Sequence, residues 1–150
     1  MRDLDLLEQT EDFVPGMIIV DYADILRSDH SSLSGHLKED DVWVNLSRLA
    51  AERYALTIVP TQATTDALDV EHVKQQHTAR WRGKLGHVEA MLSLNQLESE
   101  KKRGIMRIGV MAHRHEDFHQ SENCTILQQL YLGQVNLDAH IGSINISHYA

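Results

Sequence analysis

A chain of 150 residues with a net charge of −8 is long enough to bury a core and too acidic overall to coat nucleic acid by charge alone. Its 42% hydrophobic and 24% charged residues are ordinary for a globular domain, and no apolar run approaches the length of a membrane span. The acidic start Met1-Arg2-Asp3-Leu4-Asp5 is unlike a secretory signal, and the single cysteine, Cys124, excludes an internal disulfide, so a cytoplasmic location is expected.

Along the chain, Leu4 to Glu11 reads as the end of a helix and Pro15-Gly16 as a turn. Met17 to Val20 is a short, mostly β-branched run that predicts a fully buried strand. Ser28 to Asp41 is polar and reads as a loop. Asp40 and Asp41 suit a helix N-terminus, after which Val42, Leu46, Leu49 and Arg53 fall on one helical stripe. Leu56 to Val59 predicts a second buried strand, and Thr61 to Gly86 is polar and partly helical. Strands are predicted over Val88–Leu94, Ile105–Met111 and Thr125–Leu132, with Lys101-Lys102-Arg103-Gly104 as a charged hairpin turn. The tail from Ala139 has no strong pattern. The order predicts an α/β fold, with parallel core strands first and antiparallel strands at the C-terminal edge.

Ligands of parallel α/β sheets gather at the carboxyl ends of the strands, which here carry Asp21 and Gln62. A carboxylate at a strand tip has the geometry to hold a magnesium ion, or its water, beside a phosphate; a loop or capping acid is the plainer alternative for Asp21. Gln62 can touch the same ligand or serve as an ordinary loop amide. The run His72 to Lys84 holds Lys74, Arg80, Arg82 and Lys84 and no acid, with Trp81 between two arginines. Cations with an interleaved aromatic suit single-stranded nucleic acid, which needs charge for phosphates and a plate for base stacking; a solvated surface helix explains the same run. His113, His115 and His119 form a cluster that could bind a transition metal or simply line a polar loop. Arg114, at a strand end, could reach a phosphoryl group across a subunit boundary.

The order of these features resembles the helicase core of the DnaB-like replicative helicases within the RecA-like ATPases. IIVDYADIL resembles that family's Walker B strand. LSRLAAER resembles the helix that follows, and LTIVPTQATTDAL the strand ending in a glutamine motif. KLGHVEAMLSLNQLESEKKRGIMRIGVMAHRHEDF looks like the family's final strands and arginine-finger tip, and QLYLGQVNLDA like its closing strand. The resemblance covers 1–139 as the C-terminal part of an ATPase domain and leaves 140–150 as a tail.

The resemblance implies ATP and magnesium as cofactors, with Asp21 coordinating the metal through water and Gln62 sensing the nucleotide. Arg114 would be the finger acting on a neighbour's ATP, and Ala63 to Gly86 a loop facing single-stranded DNA during replication. Three departures qualify it. No GxxxxGK[ST] occurs, so the phosphate cradle is absent. The strand carrying the family's catalytic glutamate is absent too, and Ala112 stands where the family usually has a lysine before the finger. The chain alone is therefore expected not to hydrolyse ATP. A partial RecA-like sheet leaves apolar surface uncovered, so self-association, as a ring-forming homo-oligomer, or an upstream fragment bearing the phosphate loop is expected. A non-enzymatic interaction module and a histidine-cluster metal protein are the alternatives.

Overall fold

The computed structural model describes residues 2–78, 82–115, 117–118 and 123–142. Two compact units make up the chain, Met1–Gln62 and Ala63–Ala150. The fold is mixed α/β: a parallel pair of strands belongs to the first unit and a four-stranded antiparallel sheet to the second. No helix among the described residues is long and apolar enough to cross a membrane.

The first unit contains α1 (Arg2–Glu11), β1 (Met17–Ile19), α2 (His36–Arg53) and β2 (Leu56–Ile58). Strands β1 and β2 pair in parallel, Met17 opposite Leu56 and Ile19 opposite Ile58, so α2 serves as the crossover that parallel strands require. Val42, Trp43 and Leu46 of α2, with Ala23 and Ala55, form the buried core of this unit. Helix α2 begins four residues before the acids expected at its start. Gly35, at φ +53°, turns the chain into it, and backbone bonds from Leu37 to Ser34 and from Lys38 to Gly35 close its first turn. Asp41 consequently lies inside the helix, where its carboxylate accepts a 2.6 Å hydrogen bond from the Ser28 hydroxyl. The helix ends at Tyr54, which adopts the left-handed conformation.

Arg53 ties α2 to α1. Its guanidinium bonds Glu8 at 2.6 Å and also Asp5, residues one turn apart on α1 that present both carboxylates to one side. The hydrogen bond to Asp5, with the neighbouring negative charges, holds the Arg53 guanidinium above its ordinary range.

The first two strands are not fully buried, contrary to expectation. Met17, Ile19, Leu56 and Ile58 share one face of the pair and are exposed, Ile19 by 64%. A short apolar run signals burial on both faces, but only the Ile18 and Thr57 face is even half-covered.

The second unit contains β3 (Ala90–Asn95), α3 (Glu98–Lys102), β4 (Ile105–His113), β5 (Asn123–Gln129) and β6 (Gln134–Ile141), ordered β3-β4-β5-β6. The expected charged hairpin connection does join the antiparallel β3 and β4, with Lys101 and Lys102 ending the short α3 and Arg103-Gly104 forming the turn. Gly104, at φ +67°, redirects the chain there, and a Cβ at this position would meet the Gln128 carbonyl oxygen at 2.2 Å. Strand β5 stops at Gln129, and residues Leu130–Leu132 form a 3-10 turn rather than its continuation. Strand β6 runs beyond Ala139 to Ile141, into the stretch expected to be a patternless tail.

The two faces of the four-stranded sheet invert the usual arrangement. On β3, Met91, Ser93 and Asn95 are buried while Leu92 and Leu94 are exposed. Pairing places Gly109 of β4 opposite Ser93 and opposite Asn123 of β5, and Arg107 opposite Asn95 and Thr125. The buried face is therefore largely polar: the Asn95 amide donates to the Ser93 hydroxyl at 2.9 Å, and Gly109 leaves room for three side chains to converge. The other face carries Leu92 and Leu94, then Ile108 and Val110, then Cys124 and Ile126, then Leu137, Ala139 and Ile141. Leu94 is 65% exposed on it.

Arg107 and Glu100 form a part-buried ion pair at the sheet end. The guanidinium donates to both carboxylate oxygens at 2.7 and 3.1 Å, with side-chain exposures of 11% and 12%. Glu100 also accepts the Leu97 N–H at 2.8 Å, which starts α3.

Candidate functional site

Asp21 follows β1 and Gln62 follows β2, and because these strands run parallel both residues leave the same, carboxyl-terminal edge. The ladder extends to Val20, whose N–H bonds the Ile58 carbonyl at 3.0 Å. Beyond it the chain turns through a 3-10 segment, Ala23–Ile25, that buries Ala23. This turn carries Asp24 towards the second strand's exit, where the Thr61 hydroxyl donates to its carboxylate at 3.0 Å. The two loops are thus tied together at the edge where Asp21 and Gln62 emerge exposed. Sequence reasoning did not single out Asp24 or Thr61. The signal was present in a second acid three residues after Asp21 and a hydroxyl beside Gln62.

A carboxylate, an amide and an Asp–Thr pair at one strand edge can bind a hydrated cation or a polar ligand. They do not include backbone donors from a glycine-rich loop or a lysine for phosphates, because the chain has no GxxxxGK[ST]. Among the described residues no group of three metal-binding side chains stands at this edge, and no phosphate cradle accompanies it.

Of the segment from Ala63 to Gly86, residues 63–78 are held down within the second unit. An isolated bridge joins Ala63 to Thr78, and the Thr64 N–H bonds the His77 carbonyl at 2.8 Å. The Val73 N–H donates to the buried Asn95 side chain at 2.7 Å, and the Gln75 amide to the Met111 carbonyl at 2.9 Å. Asn95 on the polar face of the sheet thus fastens the loop, its buried amide accepting from a backbone N–H that would otherwise lack a partner. Lys74 projects exposed from the fastened segment. Lys84 does not belong to a nucleic-acid surface, being 1% exposed; an ammonium withdrawn from solvent is not offered to a phosphate. Arg80 and Trp81 lie outside the described residues, as does the side chain of Arg82.

Arg114 follows the end of β4 and is exposed, but it is engaged within its own chain. Its guanidinium donates to Glu89 at 2.8 Å and to the Gly86 carbonyl at 2.7 Å, and its N–H bonds the Glu89 carbonyl at 2.9 Å. His115 shares Glu89 at 2.6 Å and meets His113 edge to face, ring centroids 6.4 Å apart. His119 lies outside the described residues, among which no group of three metal-binding side chains occurs.

No protein-family model matches the chain, and the search of curated proteins finds no match either.

Proposed function

We propose that the chain is the C-terminal part of a RecA-like ATPase domain of a DnaB-like replicative helicase, incomplete without a phosphate loop. The observation that carries this reading is the shared exit of Asp21 and Gln62 from one edge of a parallel pair. Asp21 would hold the water shell of magnesium and Gln62 would face the nucleotide. Arg114 would act on ATP bound by a neighbouring copy, and to do so its guanidinium must leave Glu89 and Gly86. Lys74, Arg80, Trp81 and Arg82 would contact single-stranded DNA from the loop. In this reading the parallel pair β1-β2 belongs to a RecA-like sheet, and the protein works inside the cell.

Two measurements test it. The isolated chain turns over no ATP, and robust hydrolysis contradicts the missing cradle. Arg80→Ala with Arg82→Ala weakens single-stranded DNA binding and flattens the slope of log K against log salt by about 1.4, the loss of two phosphate contacts at roughly 0.7 each. Unchanged affinity and slope discard the DNA loop. A non-catalytic docking module is the second reading, favoured by the exposed apolar face of the four-stranded sheet.

A further inference from the structure

We infer that the exposed apolar face of the β3-β4-β5-β6 sheet is an interface on which a second copy of this chain docks, sheet against sheet. The inference stands apart from the helicase reading, since it uses neither Asp21, Gln62 nor Arg114.

The pattern is that of a sandwich interior. Leu92 and Leu94 of β3, Ile108 and Val110 of β4, Cys124 and Ile126 of β5 and Leu137, Ala139 and Ile141 of β6 make this face apolar on every strand. Two such faces interlock about 10 Å apart in aligned packing. Leu92, Leu94, Ile108, Val110, Ile126 and Leu137 supply the contact.

Charge selects the occupant. Each copy carries a net charge of −8, so two copies repel wherever acids meet. The strand residues on this face are uncharged, and association through it brings no acids together. It also offers no cation for a nucleic acid or an anionic lipid surface. An uncharged apolar face meets its own copy about a two-fold axis without setting like charges together.

The area suffices. Four strands, at about 4.8 Å spacing and about 3.4 Å per residue, project roughly 450 Å2, or on the order of 600–700 Å2 with side-chain relief. Stable interfaces use about 600–1,000 Å2 per partner.

The test uses the intact chain in sedimentation equilibrium from about 1 to 100 μM, a range spanning ordinary dimer affinities. The wild type moves from monomer to dimer. Leu94→Glu, at a site already 65% exposed, keeps its circular dichroism spectrum and weakens dimerisation at least tenfold. Cys124, the single thiol, lies on the same face beside Ile108 and needs no substitution. Its reaction with a thiol reagent slows several-fold as the wild type dimerises. Three results overturn the proposal: a wild type monomeric throughout with constant Cys124 reactivity, a Leu94→Glu variant that dimerises normally, or a dimer abolished by Ile19→Glu and untouched by Leu94→Glu. The last assigns association to the parallel pair.

Discussion

Replacing Arg107 by Met strips the countercharge from a carboxylate that is 12% exposed. Removing one partner of a buried ion pair costs about 3–5 kcal/mol, because the remaining charge keeps its desolvation penalty. Glu100 retains the Leu97 N–H, worth about 1.5–3 kcal/mol to a charged acceptor, so the lower end, about 3 kcal/mol, is expected. With a urea slope of about 1–3 kcal/mol/M, the unfolding midpoint falls by about 1–3 M. The double variant Arg107→Met with Glu100→Met removes both charges and leaves one N–H short of a partner, a cost of about 1 kcal/mol. The coupling between the two sites is therefore about 2 kcal/mol or more, and a double-mutant cycle measures it. Urea titration followed by circular dichroism, with hydrogen exchange of the β3–β5 amides, reads all four proteins: the wild type, Arg107→Met, Glu100→Met and the double variant. An Arg107→Met protein within about 0.5 kcal/mol of wild type refutes the claim that the pair is shielded.

Gly104→Ala destabilises by at least about 2 kcal/mol, since φ is +67° and the added carbon meets a carbonyl oxygen at 2.2 Å; a thermal melt checks it. Tyr54→Gly raises stability by about 0.5–1 kcal/mol, because Tyr54 is 96% exposed and left-handed at the end of α2, where glycine carries no steric penalty. Arg53→Ala loosens α1, read as faster amide exchange over Arg2–Glu11. The Arg53 pKa is raised by Asp5, so this tie is complete below the unfolded-state value and lost only in strong alkali. No change in α1 protection is expected between pH 7 and 10, and a loss there contradicts the assignment.

Runs of apolar residues made β1 to β5 legible, and the stripe of Val42 and Leu46 marked the buried side of α2. Sequence reasoning failed where the interior is polar. Asn95, 2% exposed, looks like a surface residue until the loop it fastens is known, and that loop is distant in sequence. Strand β6 was only partly legible, because all its residues are exposed and burial imposes no pattern on its end. At the candidate site, Asp21 and Gln62 were readable as strand-end residues, whereas the Asp24–Thr61 link depends on a turn no periodicity encodes. Lys84 shows the opposite error: a cation in a basic run is taken as solvated, but the fold encloses it.

Gly109 has a consequence for how the sheet finds its alignment. A Cβ there would lie 2.8 Å from the Asn123 amide oxygen and 3.1 Å from the Ser93 hydroxyl, so any side chain would have to push these two aside. Sliding β4 by one position would drive Ile108 or Val110 into that gap and turn every side chain of the strand to the opposite face. The glycine acts as a key cut for a single notch, rejecting misaligned pairings before the sheet can close.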